Sequence, residues 1–165
     1  YLQIILITVF SKKKSILMVD IDRTIAVTPV TDELFLEDIG RYKYYPDMVS
    51  LIKLWIKDEN YFLVFSSIRP LMSFNLTRQW LKRVGFRINW NQLLLARTPM
   101  QKIKVINFFH QRGFKVKIVD DFSYNHKKNG DFLYYNKALN RVNELGIVHF
   151  SLQEMKKYQK KIKKV

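Results

Sequence analysis

Ser15-Ile16-Leu17-Met18-Val19-Asp20-Ile21-Asp22-Arg23-Thr24 (SILMVDIDRT) is the stretch on which the fold turns. Ser15–Val19 is a short apolar run and reads as a buried strand, ending at Asp20. Side chains two apart in a strand share a face, so Asp20 and Asp22 project the same way as the strand gives out. Two carboxylates so placed can bind a divalent cation and divide the labour of a reaction between a nucleophile and a proton donor. A lone Asp-x-Asp also marks ordinary turns after strands, so the rest of the chain has to be weighed with it.

Outward from this stretch, short apolar runs alternate with helix-period segments. Pro46–Asp58 predicts a helix with Met48, Leu51, Ile52 and Trp55 on one face. Tyr61–Ser66 reads as a strand, Ser73–Val84 as a helix capped by Ser73 and stopped by Gly85, and Leu93–Ala96 as a short strand. Gln101–Arg112 reads as a helix closed by Gly113, Lys115–Val119 as a strand, Asp131–Leu145 as a helix and Ile147–Phe150 as a last strand. Such alternation predicts an α/β fold, a three-layer Rossmann-like sandwich with a mainly parallel sheet. Chemistry in these sheets gathers at the carboxyl ends of the strands.

Each of those ends carries something. The second strand runs into Ser66-Ser67-Ile68-Arg69-Pro70, where a hydroxyl and a guanidinium can bind phosphate oxygens. Lys102 and Lys104 open a helix, and either can reach a phosphoryl group. Lys115–Val119 ends in Asp120-Asp121, adjacent acids whose repulsion a bound cation relieves.

The joint order, Asp-x-Asp-x-Thr, then Ser, then Lys, then Asp-Asp, resembles the haloacid dehalogenase superfamily of Mg²⁺-dependent phosphohydrolases, from about Ser15 to Phe150. The resemblance implies Asp20 as the nucleophile that becomes an aspartyl-phosphate and Asp22 as general acid and base. Thr24 would orient the loop beside the substrate. Ser67, or Ser66 in the other register, would bind phosphoryl oxygens with Arg69. Lys102, or Lys104, would neutralise charge, and Asp20, Asp22, Asp120 and Asp121 would hold Mg²⁺. Two glycines common in the family are replaced here, by Arg23 and Ile68, which bears on loop geometry where positive φ is needed.

No separate cap domain fits between Ala26 and Tyr45 or between Gly85 and Pro99, so the resemblance implies an open site suited to a large substrate. The segment Ser67-x-Arg-Pro, followed by Thr77-Arg78-Gln79-Trp80-Leu81, looks like the phosphatase half of bacteriophage polynucleotide kinase/phosphatases. No Gly-x-x-x-x-Gly-Lys-Ser/Thr loop accompanies it, so a kinase half is not expected. Tyr42, Tyr44 and Tyr45, among Arg41 and Lys43, read either as a base-stacking platform or as a partly buried aromatic loop.

Composition agrees with a single globular domain: 165 residues, 48% apolar and 26% charged. Twenty-nine Lys and Arg against 14 Asp and Glu leave a net charge of +15, which favours a polyanionic partner. Arg78, Lys82, Arg83 and Arg87 cluster after the second strand, and Lys156–Val165 is a lysine-rich helix or tail. Nucleic-acid ends, DNA or RNA, are the expected partner; a nucleotidase acting on small phosphates and a non-catalytic RNA-binding or ribosome-associated subunit are the alternatives. No apolar run approaches the roughly 20 residues of a membrane span, so no membrane partner is expected. The absence of Cys excludes disulfides and Cys-based metal sites and fits a reducing, cytoplasmic compartment. Residues 1–150 are expected to form the domain and residues 151–165 its tail. Tyr1 is not an initiator Met, and the apolar Tyr1–Phe10 reads as a leading strand or the remnant of a longer upstream region.

Overall fold

The computed structural model describes residues 15–28, 36–58, 61–124 and 133–159. The expected strand at Tyr1–Phe10 and the end of the lysine-rich segment lie outside them. In chain order the elements are β1 (Ser15–Asp20), β2 (Ala26–Val27), β3 (Lys43–Tyr44), α1 (Pro46–Asp58), β4 (Phe62–Ile68), α2 (Phe74–Val84) and β5 (Leu93–Ala96). They continue with α3 (Pro99–Gln111), β6 (Lys115–Val119), β7 (Ser123–Tyr124), β8 (Leu133–Tyr134), α4 (Asn136–Glu144), β9 (Val148–Phe150) and α5 (Leu152–Lys156).

Five strands form one parallel sheet in the order β5-β4-β1-β6-β9. Alternation along β1 splits the core in two. Leu17 and Val19 pack with Met48 and Ile52 of α1, Trp80, Leu81 and Val84 of α2, and Met155 of α5. Ile16 and Met18 pack on the other side with Ile103, Ile106 and Phe109 of α3 and Ala138 and Val142 of α4. The result is a three-layer, Rossmann-like α/β sandwich. Full burial of one aliphatic side chain contributes about 1.5–3 kcal/mol, so β1, covered on both faces, is the thermodynamic spine of the sheet. The chain winds outward from β1 through β4 to β5, then crosses to the other side of β1 and winds out through β6 to β9. That reversal makes the carboxyl ends of β1 and β6 the topological switch point, where open α/β sheets form their crevice.

Several expected boundaries move; β4 runs on to Ile68, two residues past its expected end. Ser73 stands before α2 in right-handed helical geometry and its Oγ donates to the Pro70 carbonyl at 2.7 Å, so it closes a turn instead of capping the helix. Helix α3 begins two residues early because Thr98 Oγ1 accepts from the Gln101 N–H and Pro99 takes the first turn. The helix expected from Asp131 starts only at Asn136: Leu133 and Tyr134 pair antiparallel with Tyr124 and Ser123, and this ladder takes up their backbone groups. Gly85 ends α2 with φ 99°, a left-handed conformation that asks for glycine; the nearest atom to a Cβ there would be Lys53 Nζ, the mobile end of a long side chain, so the backbone and not the space sets the requirement. Among the described residues the interval after β1 holds only the β2–β3 ladder and a 3₁₀ turn over Leu36–Arg41, and no cap is identifiable. Among the described residues no helix is long and apolar enough to cross a membrane.

Candidate active site

The switch point brings four carboxylates and three cationic side chains together. Asp20 is the last residue of β1 and is buried. Its Oδ1 lies 2.5 Å from Lys102 Nζ, and its Oδ2 accepts from Thr24 Oγ1 at 3.1 Å. Lys102 is itself buried in the first turns of α3 and also reaches Asp120 Oδ2 at 2.9 Å, so one ammonium bridges β1 and β6. Lys104 is exposed. Two residues advance a helix by about 200°, so only one of the two lysines can face the sheet. Lys102 falls on the apolar stripe with Val105, Ile106 and Phe109, a signal in the sequence that separates it from Lys104.

After β6 the chain turns sharply at Phe122, whose φ is 44°. Asp120 Oδ1 accepts from the Phe122 N–H at 2.8 Å, which ties the carboxylate to the turn. The Asp120 carbonyl lies 2.8 Å from His149 Nε2 of β9; a carbonyl only accepts, so Nε2 carries the hydrogen. Asp121 is buried beside it and pairs with Arg23 Nε at 3.7 Å. Oxygens of Asp20, Asp120 and Asp121 all lie within 4.8 Å of one another. Three hard oxygen donors in this space suit a small divalent cation.

Asp22 does something else. The sequence reading counted it among the metal ligands, but its carboxylate is turned to β4. Ser67 Oγ donates to its Oδ2 at 2.6 Å, and Arg69 grips both oxygens, Nε at 2.9 Å and Nη2 at 2.6 Å. Ser66 sits next to Ser67 on the other face of the strand and is buried without reaching Asp22. Arg69 was expected to bind phosphate directly. Its side chain is instead fully buried, with Nη1 donating to Thr77 Oγ1 at 3.0 Å, so the fork holds Asp22 in place. Thr77 is a contributor that sequence reasoning missed as a partner. Trp80, one turn on, is also structural, its Nε1 donating to the Tyr42 carbonyl at 2.9 Å. Tyr42, Tyr44 and Tyr45 are partly buried against the first core, and burial raises the phenol pKa of Tyr42 and Tyr45.

The loop after the two aspartates shows what the first of the replaced glycines would have done. Arg23 sits at φ 59°, in the left-handed region a glycine fills without strain. Holding arginine there costs of order 1 kcal/mol. Its N–H donates to Thr28 Oγ1 at 3.1 Å, and its carbonyl accepts from Gln159 Nε2 at 2.6 Å. Gln159 also reaches the Thr24 carbonyl at 3.2 Å. With Met155 fully buried and Tyr158 packed on Phe150, the start of the expected tail is part of the core and clamps the Asp20–Thr24 loop. Ile68 has no positive φ, and its side chain is exposed at the carboxyl end of β4.

The electrostatics divide the two aspartates. Burial, reinforced by the charges of Asp120, Asp22 and Asp121, pushes Asp20 well above the usual carboxylate range despite Lys102. Burial also acts upward on Asp22, but the Arg69 charge and the hydrogen bonds from Arg69 and Ser67 outweigh it and hold Asp22 low. Lys102 is kept charged by Asp120 and Asp20 against the cost of its burial. A second cation beside Asp20, Asp120 and Asp121 would lower the proton affinity of Asp20 and leave it ionised. The arrangement can thus supply an anionic nucleophile, a separately tuned carboxyl group and concentrated positive charge. Comparison with family models, with curated proteins and with solved structures returned no match.

Proposed function

We propose that this protein is an Mg²⁺-dependent phosphohydrolase that forms an aspartyl-phosphate on Asp20 and removes phosphate from nucleic-acid 3′ ends. The observation that carries this reading is the buried Lys102 bridge between Asp20 and Asp120, with Asp121 in reach, at the switch point of the sheet. Phosphoryl transfer needs an in-line nucleophile, neutralised equatorial oxygens and a proton for the leaving group. The Asp20 carboxylate attacks phosphorus as the bond to the leaving hydroxyl breaks, and that oxygen takes a proton from Asp22. Asp22 then removes a proton from water, water attacks the phosphorus, and phosphate leaves with Asp20 regenerated. Asp20, Asp120 and Asp121 would hold Mg²⁺, which supplies Lewis-acid neutralisation of phosphoryl charge.

The Arg69 fork favours the ionised, basic form of Asp22. An incoming phosphate dianion acts the other way. It adds negative charge nearby, and it competes for the Ser67 hydroxyl, removing one of the bonds that stabilise the carboxylate. Both effects raise the proton affinity of Asp22, the direction its acid role requires. A large substrate is supported by the absence of a cap among the described residues and by the charge of +15. The likeness of residues 67–81 to polynucleotide phosphatases points to 3′ ends.

The test is phosphate release with Mg²⁺ or EDTA from a 3′-phosphorylated oligonucleotide, mononucleotides and an aryl phosphate. The expected result is metal-dependent release favouring the oligonucleotide, abolished by Asp20→Asn with oligonucleotide binding retained. Preference for mononucleotides replaces the end-processing reading with a nucleotidase. No turnover on any substrate, or full activity in Asp20→Asn, refutes the mechanism.

A further inference from the structure

Charge is unevenly spread along this chain. Between Glu59 and Asp120 there is no acidic residue, while eleven Lys and Arg fall in that interval. It supplies β4, α2, β5 and α3, so that flank of the sheet takes no acidic side chain from its own strands and helices; Glu37 and Asp38 enter it only with the 3₁₀ turn that packs on α2. In that flank lies a cavity of about 500 Å³, between α2 and the segment Phe86–Asn89. Asn75, Arg78, Gln79 and Lys82 line one side, at the spacing of a single helical stripe. Arg87 lines the other side, and the buried Phe86 and Ile88 form the floor. Arg78 Nε donates to the Ile88 carbonyl at 3.3 Å, which ties helix to loop across the groove.

The opposite stripe of α2 serves the site. Thr77, next to Arg78, holds Arg69, which holds Asp22. Helix α2 starts five residues after Arg69, at the carboxyl end of β4, so the Asn75 end of the groove is the end nearer the site. From Asn75 to Lys82 the helix rises about 10 Å, roughly three nucleotides of a stacked strand at 3.4 Å each. Arginine forks and a lysine recognise phosphodiester oxygens, and Asn75 and Gln79 carry amides that both donate and accept. No carboxylate lines the groove to oppose a polyanion.

We infer that this groove is a binding track for the phosphodiester backbone of single-stranded nucleic acid, leading to the site at β1 and β6. The inference rests on the proposed function for its direction, yet its test is independent of turnover. Binding of a 3′-phosphorylated single-stranded oligonucleotide is measured by fluorescence anisotropy in EDTA across a salt series. Wild type is compared with Arg78→Gln/Lys82→Gln/Arg87→Gln and with a control of equal charge, Lys104→Gln/Arg112→Gln/Lys115→Gln; thermal melts confirm that each folds. Each lost phosphate contact flattens log K against log salt by about 0.7 for a single strand, so the groove variant should lose about 2 from the slope. The control should lose far less. An unchanged slope in the groove variant overturns the track, as does an equal loss in the control, which would assign the effect to net charge. Competition by poly-glutamate as strong as by unlabelled oligonucleotide also overturns it, in favour of an acidic protein partner. A wild type that binds in this way without releasing phosphate would sink the proposed reaction and leave the track standing.

Discussion

Replacing Lys102 with methionine removes one charge from the site and keeps most of the side-chain volume. The ammonium lies 2.5 Å from Asp20 and 2.9 Å from Asp120, and its side chain is only 4% exposed. Deleting one partner of a buried ion pair costs about 3–5 kcal/mol, because the remaining charges stay buried without compensation. For a chain of this size that is a fall of roughly 6–20 °C in Tm. The pH dependence follows from Asp20. A carboxyl whose folded pKa is raised destabilises the fold once pH exceeds its unfolded value, so its penalty shrinks as pH falls below the folded value and is gone below the unfolded one. Loss of Lys102 removes the charge that pulled this pKa down, so the folded value rises further. The deficit of Lys102→Met should therefore be largest at pH 7 and shrink at pH 4.5, where Asp20 takes up its proton. Urea unfolding of both proteins in EDTA at the two pH values measures it. Millimolar Mg²⁺ should recover part of the loss at pH 7. A deficit below about 1 kcal/mol, or one equal at both pH values, would refute the view that Lys102 balances these carboxylates.

Thr77→Val leaves Arg69 Nη1 without its acceptor in a buried place, at about 1–3 kcal/mol, read by thermal melting; an unchanged Tm would show the bond to be dispensable. Arg69→Met should destabilise most above the ordinary Asp pKa of 3.8. The depressed Asp22 pKa adds stability there, and that stability vanishes as pH falls through the folded value, so the gap to wild type should narrow in acid. A gap independent of pH would break the link between Arg69 and Asp22. Gln159→Ala removes two donations to the Arg23 and Thr24 carbonyls, and hydrogen exchange should quicken across the loop from Asp22 to Thr28. Unaltered protection there would separate the C-terminal segment from the site.

Much of this protein is local chemistry. Ser15–Val19 and Lys115–Val119 are apolar enough that burial alone makes them strands, and the acids that follow each mark the ends where the sheet leaves backbone and side chains open. Order along the chain therefore located Asp20, a lysine at 102 or 104, and Asp120 as members of one constellation, and amphipathic spacing set α1 to the residue. What the tertiary structure decided is direction. Ser66 and Ser67 differ only in which face of β4 they take, and Lys102 and Lys104 only in the phase of α3, so packing of those elements on the sheet chose between them. Arg69 turned inward because its fork fits the two oxygens of Asp22, 47 residues earlier, and Thr77 lies under it. Gln159 reaches Arg23 across 136 residues of sequence. Hydrophobic period is a property of neighbours in the chain, whereas a hydrogen bond between distant residues exists only once the layers have packed, and that is where the two aspartates acquired different environments.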